Sequence, residues 1–288
     1  MARSLNVALV QCPAVSDSGW AAAFAIQLRQ LARANPSVQM WVYPEMHLIP
    51  SNAGSYRDRL TRLDSVEVEG LGHLARELGI WLVPGTVYEL TDDDRVYNTA
   101  LVFNPDGEQV AKYRKMFPWR PVEQSARGVE FELFDIPGYG RVGLSICYDI
   151  WFPEHSRHLA WYGADLILNV VLTNTTDRDQ ELAIVRGNAI MNQVWIASVN
   201  ASMPDGRGRS LVVDPNGNLQ ASSPDASPEV LTVAIDFDRV EEVRAHGTAG
   251  VTYPWAQYRD GDPVVSLPLY NGHIQFDRWA PSKERYAQ

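Results

Sequence analysis

From residue 5 onward the chain alternates between short apolar runs of strand length and longer runs with helical periodicity, and this alternation restricts the fold more than any other feature. LNVALVQC (residues 5–12) reads as a strand, 20–34 as an alanine-rich helix and 40–43 as a second strand. A helix over 66–78 has glycines at its margins, and IWLVPGT from Ile80 reads as a third buried strand. A βαβαβ order of this kind predicts an α/β protein with helices packed on a sheet. Residues 98–113 then read as a hairpin whose turn, Asn104-Pro105-Asp106-Gly107, has the proline and glycine that tight turns use. Further strands are expected over 141–146, 166–171 and 194–200, with helices over 153–161 and 179–192. LVFNPDGEQV from Leu101 has a degenerate partner in LVVDPNGNLQ from Leu211. Either two turn-bearing hairpins resemble each other by chance, or the two halves are related by a pseudo-twofold.

The composition suits such a fold. With 45% hydrophobic and 21% charged residues among 288, the chain can bury one α/β core, and a single domain over 1–259 is expected. From 260 to 288 the sequence is rich in Pro, Trp and Tyr without periodicity, which predicts an extension that packs on the domain or on a partner subunit. A net charge of −10 argues against a nucleic acid partner. The apolar run at the start is too short for a secretory signal, and no stretch is long enough for a membrane span, so no membrane partner is expected. With only Cys12 and Cys147 there is no disulfide framework to read, and the cytoplasm is the expected compartment.

Chemistry concentrates in three segments. In GRVGLSICYDIWFPEH, from Gly140, an apolar strand stops at Cys147 and a helix begins near Pro153. A cysteine at such a junction projects from the carboxyl end of a sheet, near free backbone N–H groups and a positive helix end. These features predict a lowered thiol pKa and a place for an oxyanion. Cys12 also closes a strand, but Pro13 follows it and no helix starts nearby, so it reads as a buried structural thiol. None of the six histidines has a local motif for pairing with Cys147, which weighs against a cysteine protease. His155 and His158 share a helix face with Glu154 beside them, yet a half-buried or solvated face explains that spacing better than a metal, so no metal is expected. In WVYPEMHL, Glu45 follows a buried strand, at the same sheet end as Cys147 if the strands are parallel, where a carboxylate can act as general base. In KYRKMFPWRPVE, Lys115 leaves the hairpin beside Phe117 and Trp119, where an ammonium can stabilise an oxyanion.

Taken together, Pro44-Glu45, Tyr113-Arg114-Lys115, Gly143 to Asp149 and Phe152-Pro153-Glu154 resemble the nitrilase superfamily of carbon–nitrogen hydrolases. The resemblance implies a four-layer αββα sandwich, often dimeric or of higher order, without a cofactor. It also implies that Cys147 attacks a carbonyl or nitrile carbon, that Glu45 is base and acid, and that Lys115 with the Tyr148 N–H binds the oxyanion. Pro118-Trp119-Arg120-Pro121-Val122-Glu123 is similar to a run in the aliphatic amidase and formamidase branches, making Glu123 the candidate second carboxylate. Two departures stand in the later helix, where the family's Arg and Glu appear as Asn188 and Met191. Cys147-Tyr148-Asp149 is the amidase and carbamoylase form, whereas true nitrilases tend to carry Cys-Trp-Glu.

The function expected is therefore hydrolysis of small amides, with ammonia and a carboxylic acid as products. The alternatives are a nitrilase, an N-carbamoyl amide hydrolase or an acyltransferase on the same scaffold, the last revealed by hydroxamate formation with hydroxylamine, and more remotely a non-catalytic binding protein. Ile150, Trp151 and Phe152 stand where carbamoylases are expected to hold a carboxylate by arginine. With Trp119, these walls favour an uncharged acyl group over an anionic one, unless Arg120 or Arg178 turns inward.

Overall fold

The fold is described from a computed structural model for residues 3–15, 20–49, 57–257, 259–267 and 272. The chain divides into two compact units, Met1–Pro254 and Trp255–Gln288. The extension expected over 260–288 falls, apart from 260–267 and 272, outside the described residues.

The first unit is built on two sheets. The strands of the first are β1 (Ser4–Gln11), β2 (Met40–Val42), β3 (Leu60–Thr61), β4 (Trp81–Val83), β5 (Thr86–Leu90), β6 (Val96–Phe103), β7 (Gln109–Arg114) and β14 (Glu229–Asp236). They run in the order β14-β1-β2-β4-β6-β5-β3, with β7 paired to β6. The second sheet comprises β8 (Leu133–Ile136), β9 (Gly140–Ile146), β10 (Leu166–Val171), β11 (Trp195–Asn200), β12 (Leu211–Val213) and β13 (Leu219–Ser222), in the order β13-β12-β11-β10-β9-β8.

The layers follow from side-chain alternation along strands that are buried on both faces. Leu5, Val7 and Leu9 of β1, with Met40 and Val42, meet Val142, Leu144, Leu166, Leu168 and Val199 of the other sheet in one core between the sheets. The opposite face, with Ala8, Val10, Trp41 and Leu82, packs on α1 (Trp20–Ala34) and α2 (Val66–Leu78) through Phe24, Leu28, Leu71 and Leu74. Outside the second sheet lie α3 (Pro153–Trp161) and α4 (Arg178–Asn192), and Gly143 lacks a Cβ where one would stand 3.1 Å from Leu159. The result is a four-layer αββα sandwich, as the resemblance implies.

α2 shows how local sequence sets an element's limits. Ser65 caps its start by accepting a hydrogen bond from the Val68 N–H, and Gly79 ends it in the left-handed region at φ 64. The single strand expected from Ile80 is two strands instead, because Pro84 and Gly85 break it and β5 is placed across the sheet from β4. β3, β8, β14 and α5 (Asp238–His246) had no clear signal in the sequence.

The two similar hairpins occupy corresponding places. In each sheet, parallel strands (β1-β2-β4 and β9-β10-β11) are flanked on one side by an antiparallel strand and on the other by the hairpin. The turns share one hydrogen-bond pattern. Asn104 Oδ1 accepts from Asp106 N at 3.0 Å and Glu108 N at 2.9 Å, and Asp214 Oδ1 accepts from Asn216 N and Asn218 N, each at 2.9 Å. Gly107 and Gly217 hold φ 81 and φ 80 at the same turn position. Shared topology and shared turn chemistry favour the pseudo-twofold reading over chance.

Candidate active site

Four strand ends converge on one cavity. β2 leads to Glu45, β7 to Lys115, β9 to Cys147 and β10 to the loop beginning at Leu172. The first two belong to one sheet and the last two to the other, so the site is assembled only where the sheets pack.

Glu45 reaches the interior because its segment passes close to Gly85. A Cβ there would stand 2.1 Å from Pro44 O, and its φ of 92 also suits glycine. Glu45 Oε1 accepts from Lys115 Nζ at 2.8 Å and from Asn98 Nδ2 at 2.8 Å, while Oε2 accepts from Leu172 N at 2.9 Å. Lys115 is fully buried and also donates to Glu123 Oε1 at 2.5 Å, and the Trp119 N–H donates to that same oxygen at 3.1 Å. Glu123 Oε2 is buried and has no hydrogen-bond partner.

Cys147 opens a 3-10 turn, Cys147–Trp151, in the left-handed region at φ 47, and its Sγ lies 3.9 Å from Thr173 Oγ1. A non-glycine residue held there is strained, and such strain persists only where the surroundings fix it. Asp149 does the fixing. Its carboxylate accepts from Ile146 N at 3.0 Å, from the Tyr113 hydroxyl at 2.7 Å and from Phe117 N at 2.8 Å, tying the Cys147 turn to the lysine segment.

Burial sets the protonation states. The expected lowering of the thiol pKa does not occur: burial pushes Cys147 well up, the Glu45 charge adds to the rise, and Lys115 only partly opposes it. The expected helix, α3, starts only at Pro153, and the 3-10 turn stands between it and Cys147, so the helix dipole acts from a distance and desolvation wins. Burial also raises the Glu45 carboxyl, against the pull of Lys115 and with reinforcement from Glu123. Burial alone would lower Lys115, but Glu45, Cys147 and Glu123 around it hold the ammonium well above its ordinary value. The site at rest therefore pairs a protonated thiol with a carboxyl whose proton affinity is raised, and a fixed positive charge stands beside both.

The cavity has a volume of about 310 Å³. Glu45, Glu123, Cys147, Tyr148, Trp119 and Trp151 all line it. Lys115 is not among the lining residues, but it donates to Glu45 and Glu123, which are. Reasoning from sequence missed Asn98, Tyr88, Ser125 and the loop with Thr173 and Asp177. The loop could have been found, because it follows a readable strand at the same carboxyl edge as Cys147.

Neither arginine considered for the pocket lines it. Arg120 donates to the carbonyls of Glu123 and Ser125, and Arg178 is buried against Glu181 at 2.7 Å and the carbonyls of Gly208 and Arg209. His155 is used by the Tyr113 hydroxyl at 2.8 Å, and His158 stacks on Phe131. Asn188 donates to Ile150 O at 2.9 Å, supporting the Cys147 turn, while Met191 is half exposed. Cys12 is sealed away from this cavity, with its Sγ 3.5 Å from His47 Nδ1.

Each sheet of the sandwich thus delivers part of one buried thiol site. Residues 6–245 match the carbon–nitrogen hydrolase family, and the chain belongs to that family. Among its relatives, the omega-amidase NIT2 of Homo sapiens is 31% identical over 70% of this chain and 78% of its own. A formamidase of Pseudomonas syringae pv. tomato is 29% identical over 74% of this chain and 64% of its own. Among solved structures, Nit3 of Saccharomyces cerevisiae, a nitrilase superfamily member, superposes with a TM-score of 0.76 at 28% identity, covering 84% of this chain and 93% of that one.

Proposed function

We propose that the protein hydrolyses small amides through an acyl-enzyme on Cys147. The observation that carries this reading is the buried Glu45–Lys115 pair, 2.8 Å apart, in one site with the thiol. Glu45 takes the Sγ proton as sulfur attacks the amide carbon, and the carbonyl oxygen becomes an oxyanion facing Lys115 and the Tyr148 N–H. Collapse of this intermediate breaks the C–N bond, Glu45 returns the proton to nitrogen, and ammonia leaves. Water, deprotonated by Glu45, then attacks the thioester, and the carboxylic acid departs as the thiol is reprotonated. Glu123 holds Lys115 from the other side and positions substrate or water through its free oxygen.

Neutral amides are proposed over anionic ones. The cavity's walls are aromatic and acidic, and the Lys115 ammonium beside it is already shared by two carboxylates. The names of the relatives, omega-amidase and formamidase, support amide chemistry in general. The cytoplasm is the proposed compartment, in keeping with two cysteines that form no disulfide. Self-association is proposed as well, since Trp161, Ile190 and Met191 on α3 and α4 expose apolar surface. The reading is tested by mixing the protein with a panel of amides, measuring ammonia and mapping acyl adducts by mass spectrometry. An adduct on the Cys147 peptide is expected, and absence of both ammonia and adduct across the panel sinks the proposal.

A further inference from the structure

Among the described residues, three N–H donors hold the Glu45 carboxylate, and they are divided unevenly between its oxygens. Oε1 accepts from Lys115 Nζ and from Asn98 Nδ2, each at 2.8 Å, while Oε2 accepts from Leu172 N at 2.9 Å. A carboxylate oxygen has about two acceptor positions, so Oε1 is filled and Oε2 keeps one free. Leu172, which holds Oε2, is followed by Thr173, whose Oγ1 lies 3.9 Å from Cys147 Sγ. Asn98 stands in β6 with no exposed surface, and its backbone carbonyl accepts from Lys115 N at 2.8 Å, so one residue touches both members of the Glu45–Lys115 pair. Turning its amide over would set Oδ1 against Oε1, acceptor against acceptor, which fixes Nδ2 as the end that faces Glu45. Oδ1 is left buried without a hydrogen-bond partner. An orphaned acceptor costs stability, and a leucine here would avoid that cost, so the amide is explained by Glu45 and not by the packing of β6.

We propose that Asn98 is a positioning residue, which together with Lys115 fills Oε1 so that the proton taken from Cys147 travels on Oε2 of Glu45. This rests on the reading of Glu45 as the base and adds the route of the proton to it. Oε2 takes the Sγ proton as sulfur bonds to the amide carbon, and gives it to the departing nitrogen as the C–N bond breaks. It then takes a proton from the attacking water and returns it to sulfur when the thioester breaks. Through each transfer the two bonds to Oε1 stay in place and keep the carboxyl from rotating. The Asn98 N–H also binds the carboxylate more strongly than the neutral acid, which opposes the rise that burial imposes and eases return of the proton. The charged groups facing Glu45 are Lys115 from the end of β7, Glu123 from the loop beyond it and Cys147 from the end of β9, with Tyr88, Tyr148 and Asp177 on the same cavity lining. A change of the Asn98 side chain leaves every one of these groups on the chain.

The test follows two reactions across pH in the wild type, Asn98→Leu and Asn98→Ala. One is ammonia release from the fastest amide of the panel. The other is alkylation of Cys147 by iodoacetamide, which needs the base but no amide cleavage and is mapped on the Cys147 peptide by mass spectrometry. In Asn98→Leu the acid limb of kcat/KM and of the alkylation rate should move up by about one pH unit, because a base without its Asn98 donor is protonated at higher pH. kcat should fall by about tenfold or more, with a smaller change in KM. Asn98→Ala, which adds no bulk, should move the limb in the same direction. A packing role alone lowers the amount of active protein and leaves the limb where it is. An acid limb missing from wild-type alkylation, or unmoved in the folded variants, overturns the proposal, while ammonia release with an adduct on Cys147 keeps the amidase reading in place. Ammonia from no amide, with the alkylation limb still moved by both substitutions, overturns the amidase reading and supports the hold of Asn98 on Glu45.

Discussion

At the scale of single residues, both cysteines are held above the ordinary thiol value, yet their prospects differ. Burial pushes Cys12 up to about 12, with Asp205 adding to it, and burial raises Cys147 as well. What separates them is the company they keep. Cys147 lines a cavity with Glu45, whereas Cys12 faces His47, whose basicity burial reduces to about 4 against a small opposing pull from the Pro13 carbonyl. A histidine that weak is a poor base for a thiol that reluctant. Cys147→Ala is therefore expected to abolish turnover while Cys12→Ser retains most of it, in a steady-state ammonia assay on folded variants. Equal loss in both would refute the assignment. Glu45→Gln removes the proposed base and should slow acylation by about 10²-fold or more, read by single-turnover adduct formation. The residue types and their spacing were legible in the sequence. The direction of the Cys147 shift was not, because it depends on the depth of burial and on a carboxylate about a hundred positions away.

Elements carry the precision that these residues need. Asp149 joins the end of β9 to the loop after β7 by accepting from Ile146, Tyr113 and Phe117. In Asp149→Asn one acceptor becomes a donor facing donors, so kcat should fall by about tenfold or more with a smaller change in KM. Gly85 serves in the same way at the other strand end. Gly85→Ala places a methyl against Pro44 O at a positive φ, and a loss of roughly 2 kcal/mol or more in denaturant unfolding is expected. Neither element's role was readable beforehand. Asp149 looked like part of a family signature, and the strand from Ile80 looked continuous across Gly85. By contrast, the hairpins at Asn104 and Asp214 were readable because their turns are specified by local chemistry alone.

Across the whole molecule, buried ionisable groups narrow the pH range of stability from both sides. His47 titrates near its ordinary 6.5 when unfolded and at about 4 when folded, so between those values only the unfolded chain takes up the proton. Its contribution is complete above pH 6.5 and is lost as pH falls toward 4, on the order of 3 kcal/mol at full extent. Cys12 works in the opposite sense. Its folded value of about 12 exceeds the ordinary 9.0, so its contribution is complete below pH 9 and is lost as pH rises toward 12. Thermal melts across pH should show a plateau between about 6.5 and 9. In His47→Leu the acid limb should be shallower, and an unchanged slope would remove His47 as its cause.

The pairing of β1 with β14 has a consequence for synthesis. Ser4–Gln11 and Glu229–Asp236 lie side by side in register, yet 218 positions separate Gln11 from Glu229. On a ribosome adding roughly 5 to 20 residues per second, the outer edge of β1 waits on the order of ten to forty seconds for its partner. During that time a nascent chain with β2 and β4 already available exposes an apolar strand edge to its neighbours on the same message. Slow codons late in the gene would lengthen that exposure, and early release before residue 229 would make it permanent.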